Sequence, residues 1–504
     1  MQYLRFFVVL FFMVLTPMTN ATESDSKLVR DIISHANANR SQYLDCLIAL
    51  SRIPSVSHSD FDPIHVRSSA EFVLEKLKKY TPNARLLEIP DTHPYVYGEL
   101  GNDPSKPTLL IYAHHDVQPP LDESRWLSDP FEPEIRNGRL FGRGTADDKA
   151  GIVAVLAAID SYHALGKELP VNLKFLFEGE EELGSPNLLK FFDKYGDLLK
   201  ADAYVLTDTA NTEQIDENGV TIDVPALTVS LRGFIKFTLT VTALESEKHS
   251  GLYSGPVPDA NMELAKLLAK LTDDENNILI PGIEDEARVL SDHEIGQLLK
   301  VPFNEKSFRR ETQLVDQANF IGRHHDGTWK QHPYLQMWRK PRLAVSYYKG
   351  GDRPGNVVLP FATATIDLRT APGMTHDRTA KLVEDFLRKN VSPNVHLEIK
   401  TNKRGKPWET NTLSPYFLAG KKALSKGFCV PAVEVGCGGA IPFVAPFSEL
   451  TNGKSPMLLI GVEDAKSNAH SVNESLNIGS FYNTINSLIY LFDEVGRLKA
   501  VEGK

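Results

Sequence analysis

The sequence predicts an α/β domain interrupted by an inserted α+β domain, and three observations carry that prediction. Short apolar runs alternate with helical patterns over 108–206, as strands and helices packed in layers do. From 226 the texture changes to strands of alternating polarity, the mark of antiparallel pairs with one solvated face. Towards the end the first texture returns, with a further apolar run at 456–460 and a closing helical pattern. At 504 residues the chain is also too long for a single compact core.

In order, residues 26–53 read as a helix ending before Pro54. A second helix covers 63–80, with Val66, Ala70, Val73, Leu74 and Leu77 on one face. The runs 108–112, 171–177 and 203–206 read as buried strands, with helices over 152–165 and 187–195 between them. Next, 227–232 and 235–243 alternate like a strand pair joined near Gly233, and 262–271 is helical. A long proline-bearing stretch then runs to about 340. Strands at 343–348, 363–368 and 395–400 and a helix over 376–389 complete the insertion. A helix restarts over 413–426, 456–460 is a buried strand, and 478–495 is the last helix. The expected division is a catalytic domain over 22–225 and 403–504, with an insert over 226–402.

The first residues stand apart. Arg5 precedes an apolar run from Phe6 to Leu15, Pro17 breaks it, and Thr19-Asn20-Ala21 offers short side chains for cleavage. That layout predicts a secretory signal peptide over 1–21, hence export to a periplasm or the medium. The run falls short of the roughly 20 residues a membrane span needs, so no membrane attachment is expected after cleavage. Three cysteines, Cys46, Cys429 and Cys437, are too few for a disulfide framework. Cys46 reads as a buried thiol, and a Cys429–Cys437 bridge stays open. A net charge of −10 argues against a nucleic-acid footprint.

Polar residues follow each predicted strand. His114, His115 and Asp116 come after the first, Glu178, Glu180, Glu181 and Glu182 after the second, and Asp208 after the third. Ligands bind beyond the carboxyl ends of strands in open α/β sheets. Between the first two strands lies Gly142-Arg143-Gly144-Thr145-Ala146-Asp147-Asp148-Lys149-Ala150-Gly151. This stretch could cradle a phosphate, cap the next helix or hold a metal, and it completes neither the phosphate-loop nor the dinucleotide spacing. Singly, each acid or histidine reads as a cap or a solvated turn, and Lys149 as a packing or surface residue. Together, His114, an acid of the glycine-punctuated stretch, the glutamates 180–182, Asp208 and His470 mix carboxylates with imidazoles and no thiolate. Such a set suits two close divalent cations, zinc or else manganese or cobalt. Paired dications repel and need a shared anionic ligand, and a spare carboxylate beside them can take a proton from water.

These motifs resemble the M20 metallopeptidases with co-catalytic zinc, a family that includes carnosinase-like dipeptidases, peptidase V, glutamate carboxypeptidase and aminoacylase. The matching pieces are His114-His115-Asp116-Val117-Gln118-Pro119, the glycine-punctuated stretch above, Glu178 to Ser185, Thr207-Asp208 and Ala469-His470-Ser471. The resemblance implies a zinc-exopeptidase fold, phosphorylase/hydrolase-like, with an inserted lid and dimerisation domain. It implies one metal on His114 and Asp208, a second on Glu182 and His470, and Asp147 bridging both. Glu181 becomes the general base, Asp116 orients His114, and the Asp147–Asp148 peptide is expected cis, with Asp148 left as a helix cap. His249 in the insert matches the histidine that reaches a partner's active site in a homodimer. Arg369 matches the arginine that clamps the substrate carboxylate.

Two departures fall on the substrate side. The family's Asn-Val-Ile-Pro element appears as Asn356-Val357-Val358-Leu359-Pro360, one residue longer, with Asn356 as a substrate contact. The Glu-Gly-Gly-Ser-Ile-Pro loop appears as Cys437-Gly438-Gly439-Ala440-Ile441-Pro442, which leaves Gly439 as a contact but replaces a carboxylate and a hydroxyl. The resemblance therefore implies an exported di-zinc amide hydrolase for small substrates with a free carboxylate, a dipeptidase first. An N-acyl-amino-acid deacylase or a glutamate-type carboxypeptidase is the alternative within the class. A non-catalytic binding module is the alternative outside it, and the intact Glu181 and ligand set count against that.

Overall fold

The computed structural model describes residues 26–216, 218–351, 355–441 and 443–498. The larger sheet runs Arg85–Leu87, Tyr95–Leu100, Asn172–Glu178, Thr108–His114, Ala203–Leu206, Met457–Leu459, Ala226–Leu231 and Trp408–Glu409. Val433–Cys437 joins it as a second partner of Ala226–Leu231. At its centre Thr108–His114 pairs in parallel with both Asn172–Glu178 and Ala203–Leu206, and Met457–Leu459 continues the parallel set. The edges are antiparallel, so the sheet is mixed. Its central strands are buried on both faces and are near-continuously apolar for that reason.

Helices cover both faces. Lys149–Ala164 is apolar almost all round and buried along nearly its whole length, because Arg40–Ser51, Ile64–Lys78 and Ile478–Gly496 pack around it. The expected single helix over 26–53 is two, Lys27–Ala38 and Arg40–Ser51, broken at Asn39. Asn39 closes the first helix by returning its side-chain amide to the His35 carbonyl at 2.8 Å. The expected thiol burial also changes. Cys46 is half-buried, all three cysteines are free, and the Cys429–Cys437 bridge does not form.

A second sheet has the order Arg342–Lys349, Phe361–Thr370, Gly233–Thr242, His396–Arg404, antiparallel throughout. Gly233–Thr242 alternates buried and half-exposed residues without a break, with Ala260–Leu268 and His376–Asn390 on its apolar face. The strand pair expected across Gly233 is not what forms. Ala226–Leu231 is buried on both sides and belongs to the larger sheet, whereas Gly233–Thr242 starts the smaller one. Gly233 is where the chain passes between them: a Cβ there would lie 2.3 Å from Thr370 Oγ1. The proline-bearing stretch up to 340 contains three short helices, Asp292–Leu298, Glu305–Glu311 and Pro333–Trp338.

Candidate metal centre

The parallel strands deliver their polar ends to one crevice. His114 closes Thr108–His114, fully buried, and Asp208 follows Ala203–Leu206. His114 Nδ1 lies 3.1 Å from the Asp116 carbonyl and 3.5 Å from its carboxylate, which leaves Nε2 facing inward. That nitrogen is 3.0 Å from Asp147 Oδ1 and 3.9 Å from Asp208 Oδ2. On the other side, His470 Nε2 is 3.0 Å from Asp147 Oδ2 and 3.0 Å from Glu182 Oε2. Two groups of three ligand atoms result, His114–Asp147–Asp208 and Asp147–Glu182–His470, each within 4.8 Å. Asp147 gives one oxygen to each group.

Three buried polar residues fix these ligands. The Asp116 carboxylate accepts from Ser57 Oγ at 2.7 Å and from the Glu181 and Glu182 N–H groups at 3.2 and 3.0 Å. One acid thus holds both the first histidine and the turn carrying Glu181 and Glu182. Glu474 accepts from the N–H groups of Ala146 and Asp147 at 3.1 and 3.2 Å, and pairs at 2.6 Å with Arg143. Arg143 also donates to the carbonyls of Pro119 and Ser471, beside Gln118 and His470. Gln118 in turn donates to Glu182 Oε2 at 2.8 Å. Arg143 stood within the glycine-punctuated stretch and Glu474 four residues past His470, but nothing in the sequence pairs residues so far apart.

The Asp147–Asp148 peptide is cis. Asp148 sits at the helix start without capping it; its carboxylate accepts from Thr207 Oγ1 at 3.0 Å instead. Gly151 makes room for that contact, since a Cβ there would lie 2.2 Å from both Asp148 Oδ1 and Thr207 Oγ1. Gly144 takes φ +78°, and its Cβ would meet Val117 at 2.5 Å, so the turn needs glycine. Lys149 is fully buried, not a surface residue: Nζ donates to the carbonyls of Leu50 and Ile53, which end a neighbouring helix. His115 turns away, to the Pro94 carbonyl. Glu178 accepts from Tyr112 and Tyr95, and burial lifts its carboxyl to about 8.

A cavity of about 540 Å³ opens above the ligands. Asp147, Glu181, Asp208, Glu463 and His470 line it, together with Val301, Tyr334, Trp338 and Val435, which pack in one apolar cluster. Tyr334 and Trp338 stack with ring centroids 4.0 Å apart. They come from the proline-bearing stretch, where no periodicity marked them as functional. Cys437, Gly438, Ala440 and Ile441 line the cavity, whereas the Gly439 N–H turns to Cys437 Sγ at 3.3 Å. His249, Asn356 and Arg369 are not among the lining residues. His249 is exposed on a short strand pair, Lys248–His249 with Val357–Val358, and Asn356 immediately precedes its second strand. Arg369 lies over the Phe234 ring at 4.4 Å.

The electrostatics fit bound cations. Four carboxylates, Asp147, Glu181, Glu182 and Asp208, converge on two imidazoles. Asp147 and Glu182 raise the His470 imidazole to about 11, so positive charge is strongly favoured at that point. Burial opposes a charge on His114, yet Asp116 and Asp147 hold it well above the ordinary histidine value. Burial raises Glu181 well above the ordinary carboxylate range, with Asp208 and Glu182 adding to it. Carboxylates and imidazoles converging with no thiolate are a donor set for zinc and similar divalent ions.

Paired carboxylate–imidazole groups at the strand ends of an α/β sheet define a metallohydrolase type of site, and the comparisons with known proteins agree. The profile of peptidase family M20/M25/M40 matches residues 110–494. The chain belongs to this family, and it is a metal-dependent peptidase of it. It is 30% identical to the beta-Ala-His dipeptidase of Rattus norvegicus over 421 residues, 81% of each chain. It is 31% identical to the Cys-Gly metallodipeptidase of Schizosaccharomyces pombe, over 77% of this chain and 80% of that one. Among solved structures, human carnosine dipeptidase 1 superposes with a TM-score of 0.74 at 25% identity, covering 94% of this chain and 100% of that one. An M20 metallo-carboxypeptidase of Sulfolobus solfataricus also reaches 0.74 at 25% identity, over 90% and 99%.

The comparisons overturn the expectation of export. The relatives are beta-Ala-His and Cys-Gly dipeptidases of mammals and yeasts, and they lend an exported location no support. The expected signal peptide, 1–21, lies outside the described residues. No described helix is long and apolar enough to cross a membrane. One arginine before a short apolar run is a compositional cue, and composition alone did not fix an address.

Proposed function

We propose that the chain is a dipeptidase that uses two metal ions and a water activated by Glu181. The observation that carries this reading is Asp147, whose two oxygens face two separate carboxylate–imidazole groups at 3.0 Å each. His114 with Asp208, and Glu182 with His470, would each hold a divalent cation, zinc foremost, with Asp147 common to both, and such cations would supply Lewis acidity and a more acidic attacking water. Glu181 lines the same cavity on a turn anchored by Asp116, placed to take the proton of that water and pass it to the leaving amine. Asp116 acts through His114 and that turn as a positioning residue.

Dipeptides are the substrate class because the relatives named above are dipeptidases of 30–31% identity. Carboxypeptidase action is a second reading, favoured by the likeness to the Sulfolobus metallo-carboxypeptidase. Arg369 and Asn356 of the insert stand outside the cavity lining, and their role as substrate contacts rests on the family resemblance alone. The insert comprises the four-stranded sheet and its helices, beginning at Gly233 and ending near 402. A homodimer through it brings His249 to the partner's cavity. The exposed edge strand Arg342–Lys349, with Val345, Tyr347 and Tyr348 open to solvent, supports such an association.

The test is Glu181→Ala in the metal-loaded protein. Turnover of dipeptides falls by about a hundredfold to ten-thousandfold, the worth of a general base, while metal content and unfolding midpoint stay those of wild type. Full turnover in that variant would falsify the assignment of the base.

A further inference from the structure

Four carboxylates line the cavity, and one of them has no task. Asp147 and Asp208 converge on the imidazoles, and Glu181 handles the proton. Glu463 belongs to neither group of candidate ligand atoms. Among the described residues, no N–H, hydroxyl or cationic side chain donates to its carboxylate.

Its backbone is firmly held. Glu463 follows Met457–Leu459, the strand parallel to the one that ends before Asp208. It bridges Ala210 in parallel, and its carbonyl accepts from the Asn211 N–H at 2.9 Å. The next residue, Asp464, takes both arms of the Arg139 guanidinium at 2.7 and 3.1 Å. At Gly461 the two strand ends touch so closely that a Cβ would lie 1.2 Å from the Thr209 carbonyl oxygen. An unpaired carboxylate on a rigid backbone, facing a partly desolvated cavity, is costly unless a cation completes it.

We propose that Glu463 binds the free α-ammonium group of the substrate's first residue, making a free amine a requirement for turnover. The proposal rests on the dipeptidase reading and sharpens it. In a dipeptide with uncharged side chains the α-ammonium is the one cation available. The apolar cluster of Val301, Tyr334, Trp338 and Val435 in the same lining takes the apolar side chain. An N-acyl amino acid brings no cation and leaves the carboxylate unpaired. A site built around a polar partner rejects the analogue that lacks it.

The test compares Leu-Ala with N-acetyl-Leu-Ala in the full-length, metal-loaded protein, as wild type, Glu463→Gln and Glu463→Asp. Wild type favours the free amine. Glu463→Gln lowers kcat/KM for Leu-Ala by about tenfold to hundredfold, the range for losing a hydrogen bond to a charged group. The loss appears in KM, and the acetylated peptide is unaffected. The ratio of the two substrates is internal to each preparation, so incomplete folding or metal loading cancels. Glu463→Asp keeps an intermediate ratio. A ratio unchanged in Glu463→Gln, or a parallel loss of both activities, overturns the role of Glu463 and leaves the dipeptidase reading intact. Wild-type protein that deacylates N-acetyl-leucine but spares Leu-Ala overturns both.

Discussion

Arg143→Met tests whether the metal centre depends on one buried ion pair. Arg143 is 1% exposed and Glu474 is fully buried, and the pair is 2.6 Å apart. Methionine keeps much of the volume but strands the Glu474 carboxylate and the carbonyls of Pro119 and Ser471. Breaking a buried pair by removing one partner costs about 3–5 kcal/mol, a large share of the 5–15 kcal/mol that typically holds a domain together. The damage also reaches the ligands, because Glu474 holds the Asp147 N–H and Arg143 holds the chain beside His470. Urea unfolding of the metal-loaded protein is expected to show the loss, and a chelator titration weaker metal binding. Adding Glu474→Gln removes the stranded charge while keeping an acceptor for the two N–H groups, so the double variant is more stable than Arg143→Met alone. A single variant within about 0.5 kcal/mol of wild type, the range of a neutral surface change, and with unchanged metal affinity would refute the reasoning.

Two further outcomes are expected. Trp338→Ala removes half of the stacked aromatic wall and lowers kcat/KM about tenfold for dipeptides with a large apolar first residue, while glycine-first dipeptides change little; equal losses on both would sink the idea. Arg288 holds the Glu294 carboxyl down to about 2 from its ordinary 4.5. The pair's contribution to stability is therefore present above pH 4.5 and is lost as pH falls from there through about 2. Arg288→Gln removes it, so the stability gap between wild type and variant is widest near neutrality and narrows in acid. A gap independent of pH would contradict the pairing.

Much of the larger sheet was legible because its strands are buried on both faces. The runs at 108–112, 171–177 and 203–206 match Thr108–His114, Asn172–Glu178 and Ala203–Leu206 within a few residues. The strand 226–231, also largely buried, was misassigned to the smaller sheet. It neighbours an alternating strand, and a local pattern does not tell which sheet a strand joins. The five residues proposed as metal ligands came as a set from the family resemblance of their motifs; the convergence of strand ends points directly only to His114 and Asp208. What supports them was not legible. Glu474 meets Arg143 across 331 positions of chain, and Lys149 reads in sequence as a packing or surface residue, with nothing to show its burial. The cavity's aromatic wall was hidden in a stretch without periodicity, because short helices between prolines repeat too few turns to show one.

The supporting residues explain why the ligands can be so acidic. Four carboxylates around two imidazoles repel one another, and only bound cations or protons relieve that. Without independent anchors the loops would spread until solvent screened the charges. The anchors are themselves ionic or charge-assisted hydrogen bonds: Asp116 on the Glu181 and Glu182 N–H groups, and Glu474 on Asp147 and Arg143. Each acceptor is saturated by donors from another segment, so each holds two segments at a fixed separation whatever the charge state of the ligands. His114 and the Glu181 turn hang on Asp116, while Asp147 and the chain next to His470 hang on Glu474 and its arginine. The Asp147 carboxylate lies where these two anchored halves meet, and for that reason one side chain can face both ligand groups at the same distance.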